Sequence, residues 1–256
     1  MKVLVKTVVF AITFVLLAFI QTKVFAKQDN TIEMLAGISK PPFIVAGEDK
    51  GMQLDIIAAA LAKNNKVVQF TYLPLSRHLD VFHSREFDGI TTLGENEKEW
   101  GLCLSKPYII YQNVVVTLVS SNLNINQLSD LSKLKVAAFQ NATRFLGEKY
   151  KAVFEHSVDY VELAEQSNQL ELLLSGKVDA LIIDINIFKF LLANKRRENP
   201  TSQIYNKDFL TYFFFEPKAY KAGFKSKQLC QQFDQGISAI IADGSYQNII
   251  DSYLAL

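Results

Sequence analysis

Asp88-Gly-Ile-Thr-Thr-Leu-Gly-Glu-Asn-Glu-Lys-Glu-Trp-Gly-Leu-Cys-Leu-Ser-Lys-Pro-Tyr-Ile-Ile-Tyr-Gln-Asn-Val-Val-Val-Thr-Leu-Val119 is the stretch that decides the fold. It opens as a short strand, Gly89 to Thr92, whose end carries hydroxyl side chains. A charged loop with Gly94 and Gly101 follows, then Ser105-Lys106-Pro107-Tyr108. The β-branched run Val114 to Val119 reads as a long strand. Strands of an α/β sheet present their carboxyl ends to a crevice, so a strand ending in Thr91 and Thr92 is a natural cleft wall. The Val-rich strand is long enough to leave one lobe and enter another.

Working outward, the residues before this stretch alternate strand and helix. Glu33 to Gly37 reads as a strand, and Lys40-Pro41-Pro42-Phe43 as a rigid turn. Gln53 to Lys63 reads as a helix with Leu54, Ile57, Ala58 and Leu61 on one apolar face. Val67 to Tyr72 is a strand ended by Pro74, and Ser76 can cap a helix to about His83. This β-α-β-α-β order implies parallel strands with crossover helices.

The same unit recurs downstream. Strands are expected at Lys135 to Ala138, Asp159 to Leu163 and Ala180 to Ile183, with helices at Thr143 to about Tyr150 and Glu165 to Leu174. An internal echo links the halves: Ser84-Arg85-Glu86-Phe87-Asp88-Gly89 matches Ser175-Gly176-Lys177-Val178-Asp179-Ala180. In that register Leu93 and Asp184 are equivalent. Leu210 to Phe215 can cross back, and helices at Ser226 to Asp243 and Gln247 to Leu254 end the chain. The expected fold class is α/β with two lobes and two crossover strands as hinge. Residues 27–112 plus 214–256 would form a discontinuous first lobe, and residues 113–213 the second.

Composition sets outer bounds. The chain has 256 residues, of which 49% are hydrophobic and 21% charged, which argues against a disordered chain. Lys2 and Lys6 precede an apolar run, Val8 to Ile20, with Val24 and Ala26 placed as signal peptidase reads them. That run is shorter than the roughly 20 residues a membrane-spanning helix needs. Residues 1–26 are therefore expected to be a cleaved signal peptide delivering the chain to the periplasm, with no lipid anchor. The remainder carries 24 basic and 26 acidic side chains, formally −2, which gives no reason to expect a nucleic-acid or anionic-membrane partner. Cys103 and Cys230 are equally compatible with a disulfide and with buried free thiols. His78, His83 and His156 lack metal-site spacing with these cysteines. Neither metal nor cofactor is expected, and a monomer is.

Six short words, in order, resemble the bacterial extracellular solute-binding proteins of the polar amino acid class, family 3. They are Lys40-Pro41-Pro42-Phe43, Gly51-Met52-Gln53-Leu54-Asp55-Ile56, Phe87-Asp88-Gly89-Ile90, Leu104-Ser105-Lys106-Pro107-Tyr108, Ser175-Gly176-Lys177-Val178-Asp179-Ala180 and Ala242-Asp243-Gly244-Ser245-Tyr246-Gln247-Asn248-Ile249-Ile250. The resemblance implies two lobes that close on a small polar solute, in most members an α-amino acid, which is then handed to an ABC permease. Closure requires a solute that binds the closed state better than the open one.

The resemblance also nominates residues. Asp184 matches the acidic residue that takes the solute ammonium; the bland reading is an N-cap for the helix that follows, and both can hold. The Arg that usually meets the solute carboxylate is replaced by Lys98, a point charge without Arg's planar fork. Arg77 stands where the family usually places a stacking ring, and Lys40 lies at the exit of the first strand. Arg144 and Thr143 open a second-lobe helix whose N–H groups can bind an anion. Of Thr91 and Thr92, strand alternation points one inward. Phe43 and Trp100 are either solute-facing rings or core. Several cations against one anion suggest a solute with more than one negative group, or a non-standard amino acid. A sensory module without transport is the alternative, and a dehydratase-like enzyme on the same scaffold the more distant one: no Ser-His-Asp, Cys-His or metal pattern supports catalysis, and fold alone does not confer it.

Overall fold

β-Branched and aromatic runs divide the chain between two sheets. The computed structural model describes residues 30–84, 87–94 and 101–254. The expected signal peptide, and the loop bearing Glu95, Lys98 and Trp100, lie outside the described residues.

The first sheet contains β1 (Thr31–Ala36), β2 (Val67–Tyr72), β3 (Gly89–Leu93), β4 (Cys103–Leu104), β5 (Ile109–Tyr111) and β11 (Lys218–Phe224). Its order is β2-β1-β3-β11-β4, with β5 paired to β11. β1 and β3 run parallel, Met34 opposite Gly89. The second sheet contains β6 (Asn113–Leu118), β7 (Val136–Phe139), β8 (Tyr160–Leu163), β9 (Ala180–Asp184) and β10 (Phe209–Tyr212), in the order β10-β6-β9-β7-β8. β7 is parallel to both β8 and β9, whereas β6 is antiparallel to β9 and β10 to β6. Parallel strands need long crossovers. Helices α1 (Met52–Ala62) and α2 (His78–Ser84) supply them in the first sheet; α3 (Ala142–Phe145), α4 (Glu148–Phe154) and α5 (Gln166–Leu174) do so in the second. α6 (Ile185–Glu198) follows β9, and α7 (Lys227–Ala242) and α8 (Ser245–Leu254) end the described chain.

The Val-rich run is the buried strand β6, with Val114, Val115 and Val116 fully covered. The chain passes between the sheets twice: at Gln112, between β5 and β6, and over residues 213–217, between β10 and β11. The two passages touch, because Gln112 Nε2 donates to the Phe215 carbonyl at 2.8 Å. The largest apolar cluster runs from Met34, Leu54, Leu61 and Phe224 at the first sheet into Val116, Ile183 and Phe188 at the second. Each sheet buries its other face separately, on Leu35 and Ile90 in one and on Val115, Tyr150 and Ile182 in the other.

Three features differ from the sequence expectation or settle it. β11 was not anticipated, since its alternation Lys218-Ala-Tyr-Lys-Ala-Gly-Phe224 is half polar. Gly223 packs closely there: a Cβ would press on the side-chain ends of Leu93 and Leu102. The single helix expected from Thr143 is split into α3 and α4 by Gly147, at φ +89°. Cys103 and Cys230 form a disulfide joining β4 to α7, with Cα atoms 6.1 Å apart.

Candidate functional site

β9 ends in Asp184, and the turn into α6 begins there. With φ −66° and ψ 136°, Asp184 is the N-cap of α6 and accepts from the N–H groups of Asn186 at 2.8 Å and Ile187 at 3.2 Å. Its other oxygen accepts from the Gln112 N–H at 2.8 Å, on the first passage between the sheets. The residue is 3% exposed. Burial pushes its pKa up to about 6, against the pull of those donors and of the Lys40 charge. The cap and the charged site are therefore the same side chain.

From the first sheet, β1 delivers Lys40. Residues 40–44 form a tight turn in which Lys40 and Ile44 exchange main-chain hydrogen bonds of 2.7 and 3.1 Å. Lys40 is an exposed residue, and its ammonium stands 4.5 Å from the centre of the Tyr111 ring. Lost hydration there lowers its pKa, and the Asp184 charge opposes that shift. The Tyr111 ring stacks at 3.9 Å on Phe43, and its hydroxyl donates to Gln53 Oε1 at 2.9 Å. Phe43 is wholly buried. Of the two readings of Phe43, solute-facing ring or core, its burial fits the core: its ring supports Tyr111, and Tyr111 carries the Lys40 ammonium.

Gln53, on the first turn of α1, is buried at the centre of a polar knot. Its Nε2 donates to Thr92 Oγ1 at 2.7 Å and to the Tyr108 hydroxyl at 2.6 Å. Tyr108 in turn donates to the Thr91 carbonyl at 2.6 Å, and burial drives its pKa upward, leaving it a neutral donor. Thr91 is fully buried whereas Thr92 is partly exposed, so Thr92 is the hydroxyl nearer solvent. The knot fixes the end of β3.

The second-sheet anion site expected at Thr143 and Arg144 is already filled by the chain. Glu162, on β8, accepts from Thr143 N–H and Oγ1, both at 2.9 Å, from Asn141 N–H at 2.6 Å and from the Tyr160 hydroxyl at 2.8 Å. Burial raises the Glu162 pKa, but these bonds outweigh it and hold the carboxyl below its usual range. Thr143 is thus an internal partner of Glu162. Arg144 is exposed, its guanidinium 6.0 Å from the Phe145 ring centre.

Arg77 is exposed, in the single turn Leu75–Arg77 that precedes α2. His78 Nε2 lies 3.1 Å from the Ala36 carbonyl and 3.0 Å from that of Leu73, which pins this turn beside the end of β1. Lys98 is outside the described residues. The structure thus sets Lys40 on Tyr111 and Asp184 on Gln112, two consecutive residues at the first passage between the sheets, with Thr92 linked to Tyr111 through Gln53. Sequence reasoning missed Gln53, Tyr108, Tyr111, Gln112 and Glu162. Only Gln53 and Tyr108 left a signal, as members of the words Gly-Met-Gln-Leu-Asp and Ser-Lys-Pro-Tyr.

Comparison with known proteins adds independent findings. The chain is similar to the arginine-binding periplasmic protein of Mannheimia haemolytica, 22% identical over 221 residues, covering 84% of this chain and 88% of that one. An ancestral cationic amino acid solute-binding protein superimposes with a TM-score of 0.66 at 17% identity, over 88% of this chain and 96% of that one. An ancestral arginine-binding protein bound to glutamine gives a TM-score of 0.59 at 21% identity, over 89% and 99%. These structures share the two-lobed α/β fold. The family model for bacterial extracellular solute-binding proteins, family 3, matches residues 32–255, and the chain belongs to that family.

Proposed function

We propose that the protein captures a small polar or charged solute, an amino acid or a related carboxylate, and delivers it to an ABC permease for uptake. The observation that carries this reading is the seam itself: Lys40, from the exit of β1, rests on Tyr111, and Asp184, at the end of β9, is bonded to the next residue, Gln112, where the chain passes between the sheets. In this reading residues 27–112 and 214–256 make one lobe, residues 113–213 the other, and residues 1–26 are a signal peptide that takes the chain to the periplasm, where it acts as a monomer. Gln112, bonded to Asp184 and to Phe215, lies at the hinge. Asp184, Lys40, Thr92 and Arg77 are the side chains assigned to the solute, with Lys98 a candidate from the loop before β4. Relatives that bind arginine, glutamine or histidine support an amino-acid-sized solute.

A thermal-shift screen of the purified protein against a small-metabolite library tests this. A solute that binds only the native state at a hundred times its Kd stabilises by about 2.7 kcal/mol. The reading predicts a concentration-dependent rise in Tm with one class of amino acids or carboxylates. A blank screen, or a response confined to large apolar compounds, contradicts it.

A further inference from the structure

We propose that Glu162 is a specificity-determining residue of the solute site: it fills the turn after β7 with the chain's own carboxylate, so that this part of the second sheet receives a positively charged group of the solute and not its carboxylate. The solute class that fits is an amino acid with a cationic side chain. The inference rests on the solute-binding reading above and narrows it.

Topology puts Glu162 at the seam. β6 enters the second sheet from the first passage, and its first residue, Asn113, pairs with Asp184, the last of β9. The carboxyl ends of β7, β8 and β9 therefore share the edge at which the chain arrives from the first sheet. Glu162 stands next to the end of β8, level with Ala138 of β7 and Ile182 of β9. Just past the turn, Lys218 Nζ, at the start of β11 in the first sheet, donates to the Phe145 carbonyl at the end of α3, at 3.1 Å. The segment that follows the turn is thus in direct contact with the first sheet.

The turn Asn141-Ala-Thr143 is shaped for a carboxylate. Asn141 takes φ +63°, and the N–H groups of Asn141 and Thr143 converge with the Thr143 hydroxyl on one group, which is Glu162. A solute carboxylate would have to displace it and then sit beside its charge. That charge is not cancelled: the four partners of Glu162 are neutral donors, and among the described residues no cation pairs with it. Oε1 accepts three of the four bonds and Oε2 only that from Asn141. Each carboxylate oxygen has two lone pairs, so Oε2 keeps one for a donor that also brings positive charge, an ammonium or a guanidinium. β7 separates β8 from β9, a spacing of about 10 Å, which a solute the length of lysine or arginine bridges with its hydrogen bonds. With its ammonium on Asp184 and its side-chain cation on Glu162, such a solute leaves its carboxylate to the first sheet, where Thr92 and Lys40 stand at the strand ends.

Isothermal titration of the purified protein with pairs of similar shape tests the inference: L-arginine against L-citrulline and L-ornithine against L-glutamine, with L-glutamate as the anionic counterpart. In the pair that binds, the cationic member is expected to bind at least about tenfold tighter than the neutral one. E162Q, which keeps the shape and loses the charge, is expected to shrink that ratio to near unity, whereas a purely structural role would weaken both members alike. A neutral member binding as tightly as its cationic partner, L-glutamate binding more tightly than L-arginine, or an unchanged ratio in E162Q overturns the role of Glu162 and leaves the solute-binding reading standing. Binding of none of the five compounds also overturns it, and only a blank library screen in addition overturns the reading beneath. The wild-type comparison decides even if E162Q fails to fold.

Discussion

β3 and β9 begin alike and end differently. At the start of β3, Asp88 donates its N–H to the Glu33 carbonyl and accepts the Glu33 N–H on its carboxylate at 2.9 Å. At the start of β9, Asp179 makes the same pair of bonds with Lys135, its carboxylate accepting at 2.8 Å. One joint, used twice, locks a new parallel strand onto its neighbour. Five residues after each Asp the equivalence fails. Leu93 is an apolar core residue, 1% exposed, whereas Asp184 is also buried but ionisable, capping a helix and bonded to Gln112 at the passage between the sheets. The lesson is that scaffold residues repeat between the two regions, and chemistry enters where the repeat is broken.

The largest effect expected concerns a feature that one region has and the other lacks. The disulfide ties β4 to α7 at the first sheet and closes a span of 127 residues that contains the whole second sheet. In C103S/C230S, urea denaturation should show a loss of about 4 kcal/mol. An unchanged midpoint would mean the first region holds together without its staple. Next, D184A strands three backbone donors and the Lys40 charge, so a loss of about 3 kcal/mol is expected, with solute binding abolished. Its equivalent, L93A, should cost about 3 kcal/mol by leaving a cavity while solute affinity stays within a few-fold. Loss of binding in both would erase the contrast.

Smaller still, D88A and D179A should each cost about 1 kcal/mol and agree within about 0.5 kcal/mol, since they remove the same bonds. A clear inequality would show the two joints to be different. The gentlest test is pH. Because the folded pKa of Asp184, about 6, exceeds its ordinary 3.8, the folded chain takes up a proton first on acidification. Its contribution to stability therefore improves as pH falls through that window, and the destabilisation is complete above about 6. Protonation also removes a negative charge from the site. The affinity of an anionic solute should therefore rise a few-fold between pH 7 and 5.5, whereas an ammonium-bearing solute would weaken.

Much of the scaffold was legible in the sequence because local rules govern it. Parallel order followed from alternating periodicities, the helix breaks from Gly and Pro, and the repeated joint from Asp88 and Asp179. Asp184 was legible as an N-cap, since a carboxylate directly before Ile185 and Asn186 suits that position. β11 was hidden because its partners β3, β4 and β5 lie far off in sequence, and its polar alternation resembles a loop. The Gln53 knot was hidden for a related reason: a Gln on the first turn of a helix looks solvated until Tyr108 and Tyr111 close over it. Glu162 was the least legible, because nothing in Tyr160-Val-Glu-Leu163 indicates that its carboxylate turns back to the start of α3. Such long-range pairings are decided by packing, and only the folded chain displays them.

The most direct measurement is a crystal structure of the protein with its own solute bound. The account predicts density for a small molecule between Lys40 and Asp184, with an anionic group near the Lys40 ammonium and a contact to Thr92. A solute bound elsewhere, touching neither Lys40 nor Asp184, would contradict it.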